Sequence, residues 1–447
     1  MNFPSLEGAD AGALCFSSRV LRMKRHPLGL ALLALAGAAS AQSSVTLFGV
    51  MDAGVSHFET VSEYRPAFDP RRPAAALLAA GVPRVTQSQT TLSRGGYRGS
   101  SLGFRGTEDL GGGLAASFWL ESNIANDDGK TGLASFAKRS TLSLSGGFGE
   151  LRLGRDYTPI FRNDSLADPF AVQGAGLSVI ARVNSASSTL LGGAPAGVAA
   201  GDNYARASNS IGYFLPPDLG GFHGQLQYAL PENVRYSPDL TPTNARGRYL
   251  GGRFGYAKGP LNVALAFGED NKDRLPSGSA AKPPVDAGGE DRLKTVSLSA
   301  TYDFGPVKLL GELSQLRHRR AQAQLWMQDR TDKYNGYLVG ATVLVGPGLV
   351  RASFGRVSYK PGATGLPGDT AQGASASQWA LGYVHHLSRR TALYATFARV
   401  RIRDGQNDKA IGAVTSASDA PYPGYLAASG WRPRSATGYD FGIRHIF

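Results

Sequence analysis

The sequence has almost no cysteine and, beyond its first 41 residues, no long apolar run. Cys15 is the only cysteine among 447 residues, and it lies ahead of the export signal described below. The mature chain is therefore expected to form no disulfide and to have no thiolate metal ligand or nucleophile. A transmembrane helix needs about 20 apolar residues, so the mature chain is expected to have none.

An export signal is predicted at residues 23–41. A basic start at Met23 to Arg25 precedes an apolar stretch over residues 28–38 and the small residues Ala39, Ser40 and Ala41. This order is typical of a secretory signal peptide, and it predicts a mature chain that begins at Gln42. We interpret residues 1–22 as an extension that arises from a start codon assigned too early, and residues 42–447 as one domain.

The chain is basic, with a formal net charge of +13. Four of its 47 Lys and Arg and two of its 34 Asp and Glu lie in residues 1–41, which leaves about +11 for the mature part. A basic balance fits nucleic acid, an anionic membrane surface or anionic solutes. Because the basic residues are dispersed along the chain, we expect no nucleic-acid partner.

Apolar residues recur with a period of two, which predicts strands with one apolar and one polar face. In one segment Val296, Leu298 and Tyr302 alternate with Ser297 and Ser299. With 58 glycines and few helix-forming runs, the whole chain is typical of one large β architecture.

Sixteen strands are predicted, and their connections alternate between tight turns and long polar loops. An even strand number with short turns on one side and long loops on the other is typical of an antiparallel outer-membrane β-barrel. A secreted β-sandwich or lectin is the alternative. The predicted strands are 45–57, 100–106, 114–124, 138–146, 150–160, 207–215, 222–230, 248–257, 261–269, 293–304, 306–316, 334–345, 349–359, 377–387, 391–402 and 436–447.

Three motifs resemble the trimeric porins of Gram-negative bacteria, of the Burkholderia and Bordetella type. The sequence reads SVTLFGVMDAG at 44–54, GFRGTEDLG at 103–111 and GYDFGIRHIF at 438–447. The resemblance implies a general diffusion porin for small hydrophilic solutes and ions, without a cofactor. It also implies a homotrimer in contact with outer-membrane lipid and lipopolysaccharide, and recognition of Phe447 by the barrel-assembly machinery. The stretch 59–97 has no assigned role.

The resemblance also implies a pore constriction formed by the third outer loop and a ladder of wall arginines. On the wall, Arg139 and Arg206 match the family pattern, Ser101 stands where the family has a further arginine, and Arg105 shares the lumenal parity. On the loop, Asp164 and Asp168 fall where the family has the acidic side of the constriction. The positive charge of the chain predicts a preference for anions. A substrate-specific channel is the leading alternative.

Catalytic and metal sites are not favoured by the sequence. Residues 99–103 match the pattern Gly-x-Ser-x-Gly, but a nucleophile elbow needs a following helix, and none is predicted there. A barrel hydrolase with His385 on its outer wall is a remote alternative. His386 is expected to line the lumen, and residues 126–129 are more typical of a turn than of a calcium loop.

Overall fold

The computed structural model describes residues 44–65, 83–130, 132, 135–191, 203–231, 247–273, 290–321, 329–363, 372–417, 423–426, 428 and 430–447. The predicted extension 1–22 and export signal 23–41 lie outside these residues. Within them, seventeen strands form one antiparallel sheet. Their bounds are β1 Ser44–Tyr64, β2 Arg84–Ser93, β3 Ser101–Gly111, β4 Leu114–Asn123, β5 Arg139–Gly146, β6 Gly149–Tyr157, β7 Arg206–Phe214, β8 Phe222–Ala229, β9 Gly247–Lys258, β10 Leu261–Asp273, β11 Glu290–Asp303, β12 Val307–Arg320, β13 Arg330–Val345, β14 Gly348–Lys360, β15 Ala374–His386, β16 Thr391–Arg403 and β17 Trp431–Ile446.

The seventeen strands occupy sixteen positions in a closed wall. Strand β1 pairs with β17 along one edge. Along its other edge, residues 54–63 of β1 pair with β2 and residues 44–50 pair with β3. Strands β2 and β3 therefore share one position in the wall. The closed sheet leaves no unpaired edge for lipid to meet. The prediction of a sixteen-stranded antiparallel barrel is confirmed.

Side chains alternate across the wall as the period of two predicts. Val296 and Leu298 on β11 are 48% and 43% exposed on the outer face, whereas Ser297 and Ser299 between them are fully buried on the inner face. Connections of a few residues lie at one end of the barrel, which we call the turn end. The opposite end, which carries the long loops, is called the loop end.

Most strand positions agree with the sequence, but several strands extend further towards the loop end of the barrel than predicted. Strand β1 continues to Tyr64 and pairs with β2, so part of the stretch 59–97 forms a hairpin. Strand β12 likewise continues to Arg320. In these segments most outward side chains are charged, such as Glu59, Glu63, Arg317 and Arg319, which weakens the apolar alternation on which the prediction depended.

Two helices, α1 (Pro159–Ala167) and α2 (Val179–Thr189), follow β6 and lie inside the barrel. Each begins at a hydroxyl cap: Thr158 accepts from the Phe161 N–H, and Ser178 accepts from the Ala181 N–H. The predicted strand 150–160 therefore ends early, because Pro159 is favourable at a helix start. In the described part of the chain, no helix has the length and hydropathy to cross a bilayer.

The core lies between this inner loop and the wall. Val179, Ile180 and Val183 of α2 are buried against lumenal side chains such as Leu338 and Val357. A short 3₁₀ helix (Gly405–Asn407) and helix α3 (Lys409–Gly412) extend the same core at the loop end. Helix α1 packs on β8 to β12 and α2 on β12 to β15. The wall of β3 to β7 is left facing the open lumen.

Candidate pore constriction

Hydrogen bonds from two wall regions fix the inner loop. The amide of Asn163 on α1 donates to the Ser297 hydroxyl at 2.9 Å, and the Ser299 hydroxyl donates to the Asn163 oxygen at 2.7 Å. Across the lumen, the backbone N–H of Ala175 donates to Asp440 at 2.5 Å, and the Ser56 hydroxyl donates to the same carboxylate at 2.6 Å. The loop is thus held at both ends of its path through the barrel.

The two loop carboxylates predicted to line the pore are buried inside the loop instead. Asp168 is 2% exposed and accepts from the backbone N–H groups of Phe170, Val172 and Ser178, each at 3.0 Å. Burial raises the pKa of Asp168 to about 6, against the opposing effect of these three donors. Its negative charge is therefore taken up by the loop backbone.

Asp164 is fully buried between the loop and the wall. It accepts from the amide of Asn184 at 3.1 Å and from the hydroxyl of Tyr204 at 2.8 Å. Glu312 of β12 is a buried acidic neighbour of this carboxylate, and burial raises the pKa of Asp164. Asp164 and Asp168, which were predicted to lie on the open side of the constriction, are thus both buried, with side chains that point away from the lumen.

A cluster of arginines surrounds one carboxylate on the opposite wall. Asp156 of β6 is 3% exposed and contacts the guanidinium groups of Arg152 at 2.5 Å, Arg162 at 3.3 Å and Arg139 at 3.5 Å. Three cations around one anion leave a positive excess at this point of the wall. Arg139, which the resemblance to porins implied, lies in the cluster, whereas Arg152 and Arg162 were not predicted.

Aromatic rings continue the cluster towards the turn end. The guanidinium of Arg139 lies 4.6 Å from the ring centre of Trp119, and that of Arg105 lies 5.3 Å from Trp119 and 5.5 Å from Phe48. At these distances a cation is attracted to the face of the ring. The exposed side chain of Arg105 lies on the same inner face of the wall as these rings.

The same alternation of arginines and rings continues across β6 and β7, from Phe214 near the turn end to Tyr157 and Arg206 near the loop end. Arg152 lies 4.1 Å from the ring centre of Phe214, and Arg162 lies 5.6 Å from the same ring and 5.8 Å from Tyr157. Arg206 lies 4.6 Å from the Tyr157 ring and donates to its hydroxyl at 3.3 Å. The structure thus connects Arg206 to Arg139, and we call the five arginines 105, 139, 152, 162 and 206 the arginine ladder.

Ser101, the position without the family's arginine, is 3% exposed and opposes Val50 of β1. It adds no charge to the wall. Just before Ser101, the segment between β2 and β3 turns inward. There the N–H groups of Tyr97 and Arg98 donate to the Asp52 carboxylate at 2.9 and 2.7 Å. The sequence did not predict this inward segment.

Tyr97 contacts a second group of arginines, on the far wall. Its ring lies 4.7 Å from the guanidinium of Arg351 and 4.9 Å from that of Arg444. Both arginines are nearly buried, at 2% and 7% exposure, so they contribute less to the open lumen than the arginine ladder does. A tyrosine inside a glycine-rich stretch, RGGYRGS at 94–100, was the available sequence signal.

The charge balance of the site is positive. Five arginines of the ladder meet two carboxylates, Asp156 and Glu150, the second of which pairs with Arg152 at 2.9 Å. The difference is three positive charges. In the described part of the inner loop, residues 158–191, the only acidic residues are the buried Asp164 and Asp168.

Comparison with known proteins places these features in one family. A family model described as Gram-negative porin matches residues 29–405. The chain is 36% identical to outer membrane porin protein 32 of Delftia acidovorans over 426 residues, which cover 95% of this chain and 100% of the relative. It is 29% identical to an outer membrane porin protein of Bordetella pertussis over 397 residues, covering 83% of this chain and 93% of the relative. A solved anion-selective porin from Comamonas acidovorans is similar with a TM-score of 0.64 and 33% identity, covering 91% of this chain and 100% of that one.

Proposed function

Since the chain belongs to the Gram-negative porin family and is an outer-membrane channel rather than an enzyme, we propose that its pore prefers anions. The observation that carries the proposal is the arginine ladder, with three net positive charges on a wall that faces the lumen. The sign of the fixed charge at the narrowest point determines which ions enter.

The burial of Asp164 and Asp168 strengthens this proposal. An acidic loop facing a basic wall would give a transverse field with little net sign. Here the loop carboxylates are bonded to the loop's own groups, so the wall charge is not balanced across the lumen. At physiological salt, charges farther than about 8 Å are largely screened, so the ladder outweighs charges on the outer loops. The similarity to a porin described as anion-selective also supports the proposal.

Reversal potentials in planar bilayers under a salt gradient test the proposal. We expect the wild type to favour anions, and the pair Arg139→Gln with Arg206→Gln to lose most of that preference. The matched control is Arg389→Gln with Arg390→Gln. It removes two exposed charges from the turn between β15 and β16, at the turn end of the barrel. A cation-favouring wild type, or an equal shift in the control, contradicts the proposal.

We also propose that the chain assembles as a homotrimer. The wall is low on one side, where β5 to β8 have only eight or nine residues, against 13 to 16 in β10 to β17. On this low side Arg155 pairs with Ser140, on the outward face of Leu142 and Leu153. A charged outward side chain on a short strand is better suited to a neighbouring barrel than to lipid.

Electrophoresis in mild detergent tests the trimer. We expect a large band that heat dissociates, and a lower dissociation temperature for Arg155→Ala. Arg356→Ala, an outward arginine on the high side of the wall, should leave that temperature unchanged. A single monomer band in mild detergent with unchanged light scattering would favour the alternative of a monomeric substrate-specific channel.

The carboxy-terminal Phe447 is the third element of the proposal, as the residue that the barrel-assembly machinery recognises. It exchanges two backbone hydrogen bonds with Gly49, at 3.0 and 3.1 Å, where the barrel closes. The residue is 41% exposed at the turn end.

A further inference from the structure

The segment between β2 and β3, residues 94–100, turns into the lumen, and we call it the inward segment. It reads RGGYRGS, and its only exposed residue is Arg98. We propose that the inward segment narrows the pore together with the loop that carries α1 and α2, and that Arg98 helps to select anions. This inference rests on the proposed function and adds to it a residue outside the arginine ladder.

Contacts with the wall hold the inward segment in place on two sides. Asp52 of β1 is fully buried, and besides the two N–H groups of the inward segment it accepts from the Tyr394 hydroxyl at 2.6 Å. Lys138, which lies just before β5, donates to the Gly99 carbonyl oxygen at 3.0 Å. The inward segment is therefore fixed between β1 and the wall that carries the arginine ladder.

The inward segment also packs on the loop between α1 and α2. The N–H of Gly99 donates to the side-chain oxygen of Gln173 at 3.1 Å. Beside this bond the two backbones touch, because a Cβ at Gly174 would lie only 2.1 Å from the Gly96 carbonyl oxygen. The inward segment and the inner loop thus form one continuous surface in the lumen. Arg98, which lies between Gly96 and Gly99, is therefore at the height of the constriction.

No ion pair offsets the charge of Arg98 in the described part of the chain. Only its backbone N–H bonds to Asp52, so the exposed guanidinium is left to the lumen. It is close enough to Arg444 of β17 for the two charges to repel each other. A fixed charge in the narrowest part of a pore acts on every ion that passes.

The position of Arg98 complements the neutral wall at Ser101. Ser101 stands where the resemblance to porins implied an arginine, and it is 3% exposed. Three residues earlier, the inward turn places Arg98 in the lumen. A charge within about 8 Å of the ion path is not screened at physiological salt, so Arg98 can act where Ser101 does not.

Reversal potentials in planar bilayers under a salt gradient test the role of Arg98. We expect Arg98→Gln to lower the anion-to-cation permeability ratio about two- to fivefold, the effect of one charge about 8 Å from an ion in water. Arg98→Lys should keep most of the wild-type ratio. The control is Arg84→Gln, which removes an exposed charge at the far end of β2, about 30 Å along the strand from Ser93. It should leave the ratio unchanged.

An engineered thiol tests the position of Arg98 independently. The mature chain is expected to have no cysteine, so Arg98→Cys provides a single site for small methanethiosulfonate reagents. A cationic reagent should restore the ratio, and an anionic reagent should lower it further. Either adduct should slow the entry of a neutral disaccharide into liposomes, because it occupies the narrow section. Arg84→Cys should react with the same reagents without these effects.

Two results would overturn the inference: an unchanged ratio in Arg98→Gln, or modification of Arg98→Cys that alters neither the ratio nor disaccharide entry. The inference and the proposed function fail separately. If the Arg139 and Arg206 pair shifts the ratio and Arg98→Gln does not, only the inference fails. If the wild type favours cations, the proposed function fails, but Arg98→Gln should still lower the ratio. A band shift of each variant on heating in mild detergent shows that its barrel is folded.

Discussion

At the scale of single residues, the constriction depends on the Asp156 carboxylate, which three arginines share. Asp156 brings three guanidinium groups together that would otherwise repel each other. It lowers the net charge of the ladder while fixing its geometry. Asp156 therefore affects stability and ion preference in opposite senses, and a single substitution can show both.

The substitution Asp156→Asn should increase the preference for anions and lower stability. The net charge of the ladder rises by one, while three partly exposed guanidinium groups lose their shared partner, at a cost of about 3 kcal/mol in the free energy of unfolding. Reversal potentials and denaturant unfolding in detergent measure the two effects. Asp218→Asn, at an exposed turn, is the control. A shift towards cations would show that Asp156 does not offset the ladder.

A second residue-scale prediction concerns the carboxyl pair under the loop. Burial raises the pKa of Asp164, so its contribution to stability is full at low pH and is lost as pH rises and the buried pair must ionise. Glu312→Gln removes one acid and provides a donor for Asp164. We expect this variant to be about 1 kcal/mol more stable than the wild type at pH 8, with a smaller gain at pH 5. Glu108→Gln, which is exposed, should show neither gain. If the Glu312→Gln variant is less stable than the wild type at pH 8, the Asp164 and Glu312 carboxyl groups do not destabilise the barrel.

The sequence predicted the wall residues of the site better than the loop residues. The resemblance to porins implied Arg139, and strand parity agrees with it, because every second side chain on a strand faces the lumen. The loop is helical here: Asp164 lies on α1, and Asp168 is the extended residue that ends this helix. Nothing in their spacing shows which way either side chain turns.

At the scale of elements, the inner loop is held by its own backbone as much as by the wall. Asp168 accepts three backbone N–H groups from the turn between α1 and α2. Such a carboxylate replaces the hydrogen bonds that a regular element would supply. The position of the loop in the lumen, and so the pore width, depends on it.

Replacing Asp168 by Ala should loosen the loop without opening the barrel. Three buried N–H groups lose their acceptor, which destabilises the loop by on the order of 3 kcal/mol. Amide hydrogen exchange should become faster at Phe170, Val172 and Ser178, and the open-channel current should become noisier. Asp128→Ala, in an exposed turn, is the control. Unchanged exchange at these three amides would show that the carboxylate is not what holds the turn.

The ends of the strands show where the sequence pattern stops predicting the structure. Alternation of apolar and polar residues predicted the part of each strand that lies in hydrocarbon. Beyond it, β12 continues with Arg317 and Arg319 facing outward, where polar side chains occupy both faces. The lost alternation marks the height at which the barrel leaves the lipid.

At the scale of the whole molecule, the barrel depends on a single closing seam between its first and last strands. Strand β1 pairs with β17 from Val50 to Tyr64, and below this the Phe447 backbone bonds to Gly49. A Cβ at Gly49 would lie 2.3 Å from the Phe447 ring and 2.8 Å from the Ser101 carbonyl oxygen. Glycine at this position therefore lets the terminal ring lie flat on the seam.

Closure and recognition by the assembly machinery make different demands on Phe447, and two variants separate them. Phe447→Leu keeps an apolar side chain on the seam, so we expect near-wild-type refolding into detergent but severalfold less protein in the outer membrane of cells. Gly49→Ala displaces the ring, so it should lower both the refolding yield and the heat stability of the folded band. Gly147→Ala, which places a methyl group in open space, should change neither. Equal losses for Phe447→Leu in detergent and in cells would reduce the role of the terminal ring to packing, since refolding in detergent proceeds without any assembly machinery.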